Sequence, residues 1–389
     1  MWSFPRPGHD FGDHAERVHL SQFSPRLSSS YNQSSIYRNE IEDWAKDVTS
    51  ERSDKLLLNA LAGEVVAPQP TWLMRQAGRY LPEYRELRSK TSGFLELCLT
   101  PALASEVTLQ PIRRFGFDGA IIFADILLVP YALGQRLWFV EGEGPRLEPL
   151  NLAKLKFDRA MLAPVFETIG RVKSELPGST TLIGFAGAPW TVATYMIAGG
   201  GSDDSAAARL FAYQQPRAFA ALIDVLVEAT ADYLIGQIDA GAEALQIFES
   251  WAGTIPVQDV DGFSLRPIRT IIDKVRRHSP ATPVIVFPRG AGTNYPRYAQ
   301  ETGATAISLD AHTSIRWAQG AFPPATVLQG NLDPISLVAG GEALDREIDR
   351  ILSDTDGNPH IFNLGHGIRP ETPIAHVEQL VKRIRSGRA

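Results

Sequence analysis

The sequence predicts a single (β/α)8 (TIM) barrel over residues 53–389, behind a poorly ordered N-terminal extension of residues 1–52. Eight short β-like runs lie between Thr71 and Asn363, each closed by Gly, Pro or polar residues. Most runs are continuously apolar, as parallel strands are when helices cover both of their faces. Helical patterns separate the runs, and eight alternating units in a chain of this length fit a (β/α)8 barrel.

A doubly wound open sheet is the alternative architecture. It has less support, because no Gly-x-Gly-x-x-Gly follows the first predicted strand. The clearest helical patterns run from Phe219 to Glu228 and from Ile268 to Arg277. The predicted strands are Thr71–Met74, Gly119–Phe123, Thr181–Phe185, Ala244–Phe248, Pro283–Phe287, Ala306–Leu309, Thr326–Gln329 and His360–Asn363.

The first 52 residues differ in composition from the rest of the chain. Residues 21–35 are rich in Ser, Asn and Gln. The scattered histidines of this extension are more often solvated side chains than metal ligands. Acidic residues argue against a transit peptide, and the basic-then-apolar layout of a secretory signal is absent. We expect a poorly ordered extension that ends in a helix from about Asn39 to Asp47.

Composition and charge are those of an ordinary globular protein. Of the 389 residues, 44% are hydrophobic and 21% are charged, and the net charge is −6. This acidic balance argues against a nucleic-acid partner, so an anionic substrate would need a local cluster of arginines. The most apolar run, Gly119 to Gly134, contains Asp125 and Pro130 and is too short to span a bilayer, so we expect no membrane partner.

Cys98 is the only cysteine in the sequence. An intrachain disulfide and a cysteine-rich metal centre are therefore excluded, and a reducing, cytoplasmic location fits. The apolar pattern from Phe94 to Leu99 predicts a buried, inert thiol. No His-Glu-x-x-His occurs, and we expect no metal site.

The segment Met74–Tyr80 carries the first candidate binding groups. Arg75 and Arg79 lie four residues apart, a spacing that places both guanidiniums on one face of a helical turn. Gly78 leaves the space between them free of a side chain. Forked guanidiniums suit carboxylates or phosphates, whereas a helix start with water-facing arginines is the alternative. The spacing alone favours neither.

Asp125 is a single carboxylate inside the most apolar stretch of the chain. A buried carboxylate is costly unless it is paired or hydrogen-bonded. A helix cap is one explanation, but Ile126 to Pro130 makes a poor amphipathic helix. The pattern therefore favours a carboxylate that waits for a cationic or N–H-rich ligand.

Polar residues or glycines follow nearly every predicted strand, where the active sites of barrels lie. Gly187 stands among small residues that let backbone approach a ligand closely. Ser250 lacks a Gly-x-Ser-x-Gly context, which argues against a hydrolase nucleophile. Glycines flank His366 and leave its imidazole accessible; a structural hydrogen bond is the alternative to a ligand contact.

Together these residues resemble the uroporphyrinogen decarboxylase family. The segment from Trp72 to Arg85 resembles the first signature of that family almost without departure, and Ile183–Thr191 resembles the second. The likeness runs from about Ser53 to the C-terminus. Further matching segments are Ile121–Leu127, Leu245–Ser250, Leu328–Pro334 and Asn363–Gly367.

The resemblance implies a single barrel, a homodimer with facing active-site clefts, and no cofactor. It implies conversion of uroporphyrinogen III to coproporphyrinogen III, in which four acetate side chains become methyl groups. The pyrrole itself serves as the electron sink once a ring carbon is protonated. Catalytic roles fall to Asp125, which would accept pyrrole N–H groups and steady the cation, and to Arg75, a candidate proton donor.

The same resemblance implies a set of residues that bind the substrate. Arginines would hold the many carboxylates, with Arg113 and Arg114 as further candidates at the cleft. The implied substrate-binding residues are Arg75, Gln76, Ala77, Gly78, Arg79, Asp125, Gly187, Tyr195, Ser250 and His366.

Two other functions remain open. Corrinoid-linked methyltransferases share the broader fold family but need a zinc site, and Cys98 is far from any His in the sequence. A tetrapyrrole-binding protein without turnover is the second, and Asp125 together with both arginines argues against it.

Overall fold

The described part of the chain is an α/β fold built on a parallel sheet. The structure is a computed structural model that describes residues 53–140, 142–201 and 204–386. The predicted extension of residues 1–52, with its expected helix from Asn39 to Asp47, lies outside the described residues. The predicted boundary at residue 53 therefore stays a prediction.

Seven parallel strands form one curled sheet in the order β1-β4-β5-β6-β7-β8-β9, and β2 and β3 form a separate antiparallel hairpin. Apart from the hairpin, strands adjacent in the sheet are consecutive in the chain, as βαβ units require. The strands are β1 (Gly119–Ile121), β2 (Leu137–Val140), β3 (Gly144–Leu147), β4 (Thr181–Gly187), β5 (Ala244–Glu249), β6 (Val284–Pro288), β7 (Ala306–Ser308), β8 (Val327–Leu332) and β9 (His360–Leu364).

Helices precede and link the strands, and many begin at a proline because that residue lacks the N–H that a first turn leaves unpaired. The α-helices are α1 (Leu56–Leu61), α2 (Pro82–Ser89), α3 (Phe94–Leu99), α4 (Pro101–Phe115), α5 (Leu128–Ala132), α6 (Ala163–Glu175), α7 (Pro189–Ala198), α8 (Ala206–Gln214), α9 (Pro216–Asp239), α10 (Arg266–His278), α11 (Tyr295–Glu301), α12 (Ile315–Ala321), α13 (Pro334–Ala339), α14 (Gly341–Asp354) and α15 (Ile374–Ser386). Both predicted helical patterns are confirmed, inside α9 and α10.

Seven of the eight predicted strands are confirmed, with ends that shift by a few residues. The first one, Thr71–Met74, is only a single parallel bridge between Thr71 and Phe362 of β9. The β2–β3 hairpin is not among the predicted strands, because its strands are only partly buried and its apolar run is short.

The segment around Thr71 nevertheless lies between the two edge strands of the sheet. Trp72 N–H donates to the Phe362 carbonyl over 3.3 Å, and Phe362 N–H donates to the Pro70 carbonyl over 2.9 Å. On the other side, Asp118 N–H donates to the Thr71 carbonyl over 2.9 Å, just before β1. The segment thus contacts both β9 and the start of β1.

The interior of the sheet contains a polar group of side chains in an otherwise apolar core. The Trp72 indole donates to Gln329 Oε1 over 3.0 Å. The amide nitrogen of Gln329 donates to Ser308 Oγ at 3.1 Å and to Gln246 Oε1 at 3.2 Å. All four side chains are fully buried, so these bonds link three strands and the first segment, and they specify one register.

Within the described ranges, no helix combines the length and the apolar character needed to cross a bilayer.

Candidate active site

A cleft of about 740 Å³ opens where the strands of the sheet end. It is lined by polar and glycine-rich turns, which follow the predicted first strand and five of the sheet strands. Its lining residues include Arg75, Ser250, Trp251, Arg289, Gly290, Asp310, His312, Asp333, Ile335, His366, Gly367 and Arg369. The volume lies in the range of small-molecule sites.

Arg75 has an unusual backbone conformation for an L-residue, with a φ of 63°. Such left-handed conformations cost of order 1–3 kcal/mol and persist only where the surroundings impose them. Here two hydrogen bonds hold the preceding residue: Met74 N–H donates to Asn363 Oδ1 over 3.0 Å, and Ile368 N–H donates to the Met74 carbonyl over 2.8 Å.

The side chain of Arg75 lies directly against Gly367. A Cβ built on Gly367 would overlap Cγ, Cδ and Nε of Arg75. The flanking glycine therefore does more than expose His366, because it also leaves the channel through which Arg75 extends.

Arg75 and Arg79 are both exposed, and neither guanidinium has a hydrogen-bonded or ion-paired partner among the described residues. Gly78 lies close to Arg75, since a Cβ there would come within 2.9 Å of the Arg75 carbonyl oxygen. Ala77 is partly buried next to it. Of the two, Arg75 is among the residues that line the cleft, and an unpaired arginine there suits an anionic ligand.

Gln76 is fully buried, and its side chain serves the fold. Its Oε1 accepts from Leu73 N–H at 3.0 Å, and its Nε2 donates to the Gly119 carbonyl at 2.9 Å. Its predicted substrate contact stays a prediction, and its amide holds the arginine segment against the start of β1.

Asp125 follows β1 and lies within electrostatic reach of Arg75. Its Oδ1 accepts from Leu127 N–H at 2.8 Å at the start of α5, so the capping alternative is also present. Burial raises the pKa of this carboxyl to about 6, while the Leu127 hydrogen bond and the Arg75 charge act in the opposite direction. The carboxyl is thus ionised at neutral pH and within about one pH unit of protonation.

Tyr195 on α7 is partly buried beside the same two groups. Burial and the Asp125 charge raise the pKa of its phenol, while Arg75 lowers it. Its ring packs against Trp251 with centroids 6.3 Å apart. Gly187 ends β4 nearby, where a Cβ would come within 3.0 Å of Ile126 and closer still to Val192, so glycine is required there for packing.

His366 lines the cleft as a neutral imidazole. Burial lowers the pKa of this ring to about 4, and the charges of Arg289 and Arg75 add to the effect. Its Nδ1 accepts from Gly367 N–H at 2.6 Å, which assigns the proton to Nε2. A neutral N–H donor therefore faces the cleft, as does the hydroxyl of Ser250.

The two further arginine candidates, Arg113 and Arg114, do not line this cleft. They lie at the end of α4, just before β1 begins, and pair with Glu106 and Glu83. That part of the fold leads into the amino end of the sheet, so the structure gives their expected role at the cleft no support, and it stays a prediction.

Two groups near the site are not among the predicted site residues. Arg289 lines the cleft after β6, and Glu249 is a fully buried carboxyl at the end of β5. Burial raises the pKa of Glu249 to about 7, against hydrogen bonds from the hydroxyls of Thr191 and Ser264. A polar residue at a predicted strand end was the available signal for both.

The family model for uroporphyrinogen decarboxylase (URO-D) matches residues 52–387. The chain belongs to the uroporphyrinogen decarboxylase family. Uroporphyrinogen decarboxylase of Maricaulis maris is 54% identical over 341 residues, which cover 86% of this chain and 99% of the relative. That of Sphingopyxis alaskensis is 55% identical over 339 residues, or 86% and 99% of the two chains. The family resemblance is therefore confirmed.

Among solved structures, a methyltransferase from Methanosarcina mazei has a TM-score of 0.72 at 20% identity. The match covers 86% of this chain and 99% of the methyltransferase. At this identity it shows a shared fold only. In the part of the chain that the structure describes, no group of three or more His, Cys, Asp and Glu side chains is arranged to hold a metal ion.

Proposed function

We propose that this chain is a carboxy-lyase of haem biosynthesis that converts uroporphyrinogen III to coproporphyrinogen III without a cofactor. The observation that carries the proposal is family membership over residues 52–387, joined to Asp125 beside Arg75 and Tyr195. A carboxylate among groups that bind anions is the arrangement that a cationic intermediate with acidic side chains requires.

The chemistry of each step assigns a task to the cleft. A ring carbon of one pyrrole takes a proton and becomes an iminium-like cation. The bond to the acetate carboxylate then breaks, its electron pair neutralises the cation, and carbon dioxide leaves. The exocyclic carbon gains a proton and the ring carbon loses one, so each acetate becomes a methyl group with net uptake of one proton.

Asp125 stabilises the cation in this scheme. An ionised carboxylate can accept hydrogen bonds from pyrrole N–H groups and offset the positive charge, and low local polarity strengthens both effects. The remaining Asp125 oxygen is available for this, because the hydrogen bond from Leu127 uses only Oδ1.

The other predicted site residues hold the carboxylates of the substrate. Arg75 and Arg79 supply charge, while Tyr195, Ser250 and the neutral His366 supply hydrogen bonds without adding charge. Backbone at Gly187 and the Gln76–Gly78 segment completes the predicted contacts. This division suits a substrate that must be held tightly at its edge while one carboxylate loses its charge.

We further propose that the fold is a closed (β/α)8 barrel, with the Thr71–Met74 segment as its eighth strand. Backbone hydrogen bonds from this segment to Phe362 and Asp118 support closure. A cytoplasmic homodimer with facing clefts is proposed from the family alone, and sedimentation of the purified chain would test the dimer.

The test of the function is anaerobic incubation of the purified, metal-free chain with uroporphyrinogen. The products are oxidised and separated by carboxyl number. Stepwise appearance of hepta- to tetracarboxylates is expected from wild type, and Asp125→Asn should lose most turnover while still binding substrate. A folded protein that binds the substrate but never converts it would refute the decarboxylase and favour the binding protein.

A further inference from the structure

Arg289 lies in the turn after β6, and its backbone is held on both sides. Its N–H donates to the Glu249 carbonyl at 3.1 Å, and its own carbonyl accepts from Gly253 N–H at 3.1 Å. Next to it, Gly290 N–H donates to Asp310 Oδ2 at 2.7 Å. Gly253 and Gly290 pack backbone to backbone, since a Cβ on Gly253 would come within 2.9 Å of the Gly290 carbonyl oxygen. The position of Arg289 is therefore fixed before any ligand binds.

The guanidinium of Arg289 has no acceptor of its own among the described residues, although the residue is partly buried in the cleft wall. The two carboxylates that share this cleft are engaged elsewhere. Asp310 accepts from Gly290, His312 and the hydroxyls of Tyr295 and Thr313. Asp333 accepts from Ile335 N–H at 2.9 Å. A partly desolvated arginine without a partner is a binding site for an external anion.

Arg289 and Arg75 reach the cleft from different sides of the sheet. Three strands separate β6 from the Thr71 segment in each direction along the sheet. They are β5, β4 and β1 in one direction and β7, β8 and β9 in the other. The charges of both guanidiniums nevertheless lower the pKa of His366, which lies within electrostatic reach of each. A ring with carboxylates around its whole edge can contact both.

We propose that Arg289 is a second carboxylate-binding arginine of the cleft, which takes a peripheral acetate or propionate of the tetrapyrrole on the side opposite Arg75. This inference rests on the proposed function. The rigid turn suits the role, because little ordering is needed when the carboxylate arrives. The group acts at the edge of the substrate, so it affects binding more than the bond-breaking step.

The test compares Arg289→Met with Arg171→Met in steady-state turnover. Arg171 on α6 is the matched control, because it is an exposed arginine that is not among the residues lining the cleft, and its loss changes the net charge equally. We expect Arg289→Met to raise KM about tenfold or more, with a smaller change in kcat, as loss of one charge-assisted hydrogen-bond pair predicts. Arg289→Lys should recover part of the loss. A KM within about twofold of the control variant would overturn the proposal.

Substrate choice identifies which side chain binds. A KM rise with uroporphyrinogen that persists with the pentacarboxylate porphyrinogen would assign a propionate. A rise confined to the octacarboxylate would assign an acetate. Either result supports the site.

A pH series separates direct binding from an indirect effect through His366. At pH 8 the imidazole is neutral with or without Arg289, because burial lowers its pKa and even the ordinary value of a histidine lies well below 8. A KM rise that persists at pH 8 supports direct binding, and one that disappears there overturns it.

Two controls keep the result interpretable. Thermal unfolding establishes that Arg289→Met is folded, and Arg289→Gln replaces it under the same criteria if it is not. Should wild type lack turnover altogether, the proposed function fails, and equilibrium binding of uroporphyrin still tests the arginine. Equal dissociation constants for wild type and the variant would then refute the site.

Discussion

Lowering the pH should slow the enzyme, because it protonates the carboxylate of Asp125. The carboxyl has a pKa raised from 3.8 to about 6, mainly by burial, so it is charged above that pH and neutral below it. Only the charged form can offset a pyrrole cation. We therefore expect kcat/KM to fall as the pH drops through 6, along a limb that reports this group in the free enzyme.

The size of the effect follows from the titration curve. A group with a pKa of about 6 is roughly 90% ionised at pH 7 and about a quarter ionised at pH 5.5, so kcat/KM should fall about fourfold between these values. With the ordinary aspartate value the change over the same interval would be only a few per cent. The assay is initial-rate decarboxylation under anaerobic conditions at low substrate.

Protonation of Glu249 would also produce a fall in kcat/KM at acid pH, because the pKa of this group lies at about 7. Glu249→Gln removes that titration and should retain the acid limb, whatever its effect on the maximal rate. Asp125→Glu should move the limb. If the limb disappears in Glu249→Gln, or if wild type shows no decline down to pH 5.5, the assignment to Asp125 is wrong.

Three further changes test the surroundings of the site. Gly367→Ala should lower kcat/KM about tenfold with little change in stability, because the new methyl group displaces Arg75. The control is Gly320→Ala, which should keep full activity because a Cβ there meets nothing within 4 Å. Glu249→Gln should flatten the pH dependence of stability in urea unfolding. The folded pKa of Glu249 is raised from 4.5 to about 7, so the contribution of this group to stability is complete below pH 4.5 and falls by roughly 3 kcal/mol as the pH rises through 7. Equal slopes for the two proteins would contradict this. Cys98 is fully buried and burial raises its pKa, so a thiol reagent should react only after unfolding, and rapid labelling of native protein would refute the packing.

Much of the fold could be predicted because its signals are local. Continuous apolar runs marked seven strands, and helical periodicity marked α9 and α10. The first predicted strand was the difficult case. Its apolar run resembles those of the other strands, but its backbone hydrogen bonds go to Phe362 on one side and to Asp118 on the other. How much of such a segment pairs depends on those distant partners, which the local pattern does not describe.

The residues of the candidate site show the same difference between local signals and distant contacts. Contiguous motifs contain Arg75, Arg79 and Asp125, so a reader of the sequence can select them. Arg113 was selected for its charge alone, and the structure places it at the end of α4, paired with Glu106 and not among the residues that line the cleft. The charge of a side chain follows from the residue type, whereas its position relative to the cleft depends on the fold.

The sequence by itself determined the family, the alternation of strands and helices, and the main candidates for catalysis, because each is encoded in neighbouring residues. The tertiary structure alone decided how those candidates are held and which others join them. The bond that fixes Met74, next to Arg75, comes from Asn363, 289 positions away. The Glu249 carboxylate accepts a hydrogen bond from Ser264, and the Arg289 backbone is held by Glu249 and Gly253. Burial, and with it the pKa of each carboxyl, depends on such distant contacts, so no local pattern can specify it.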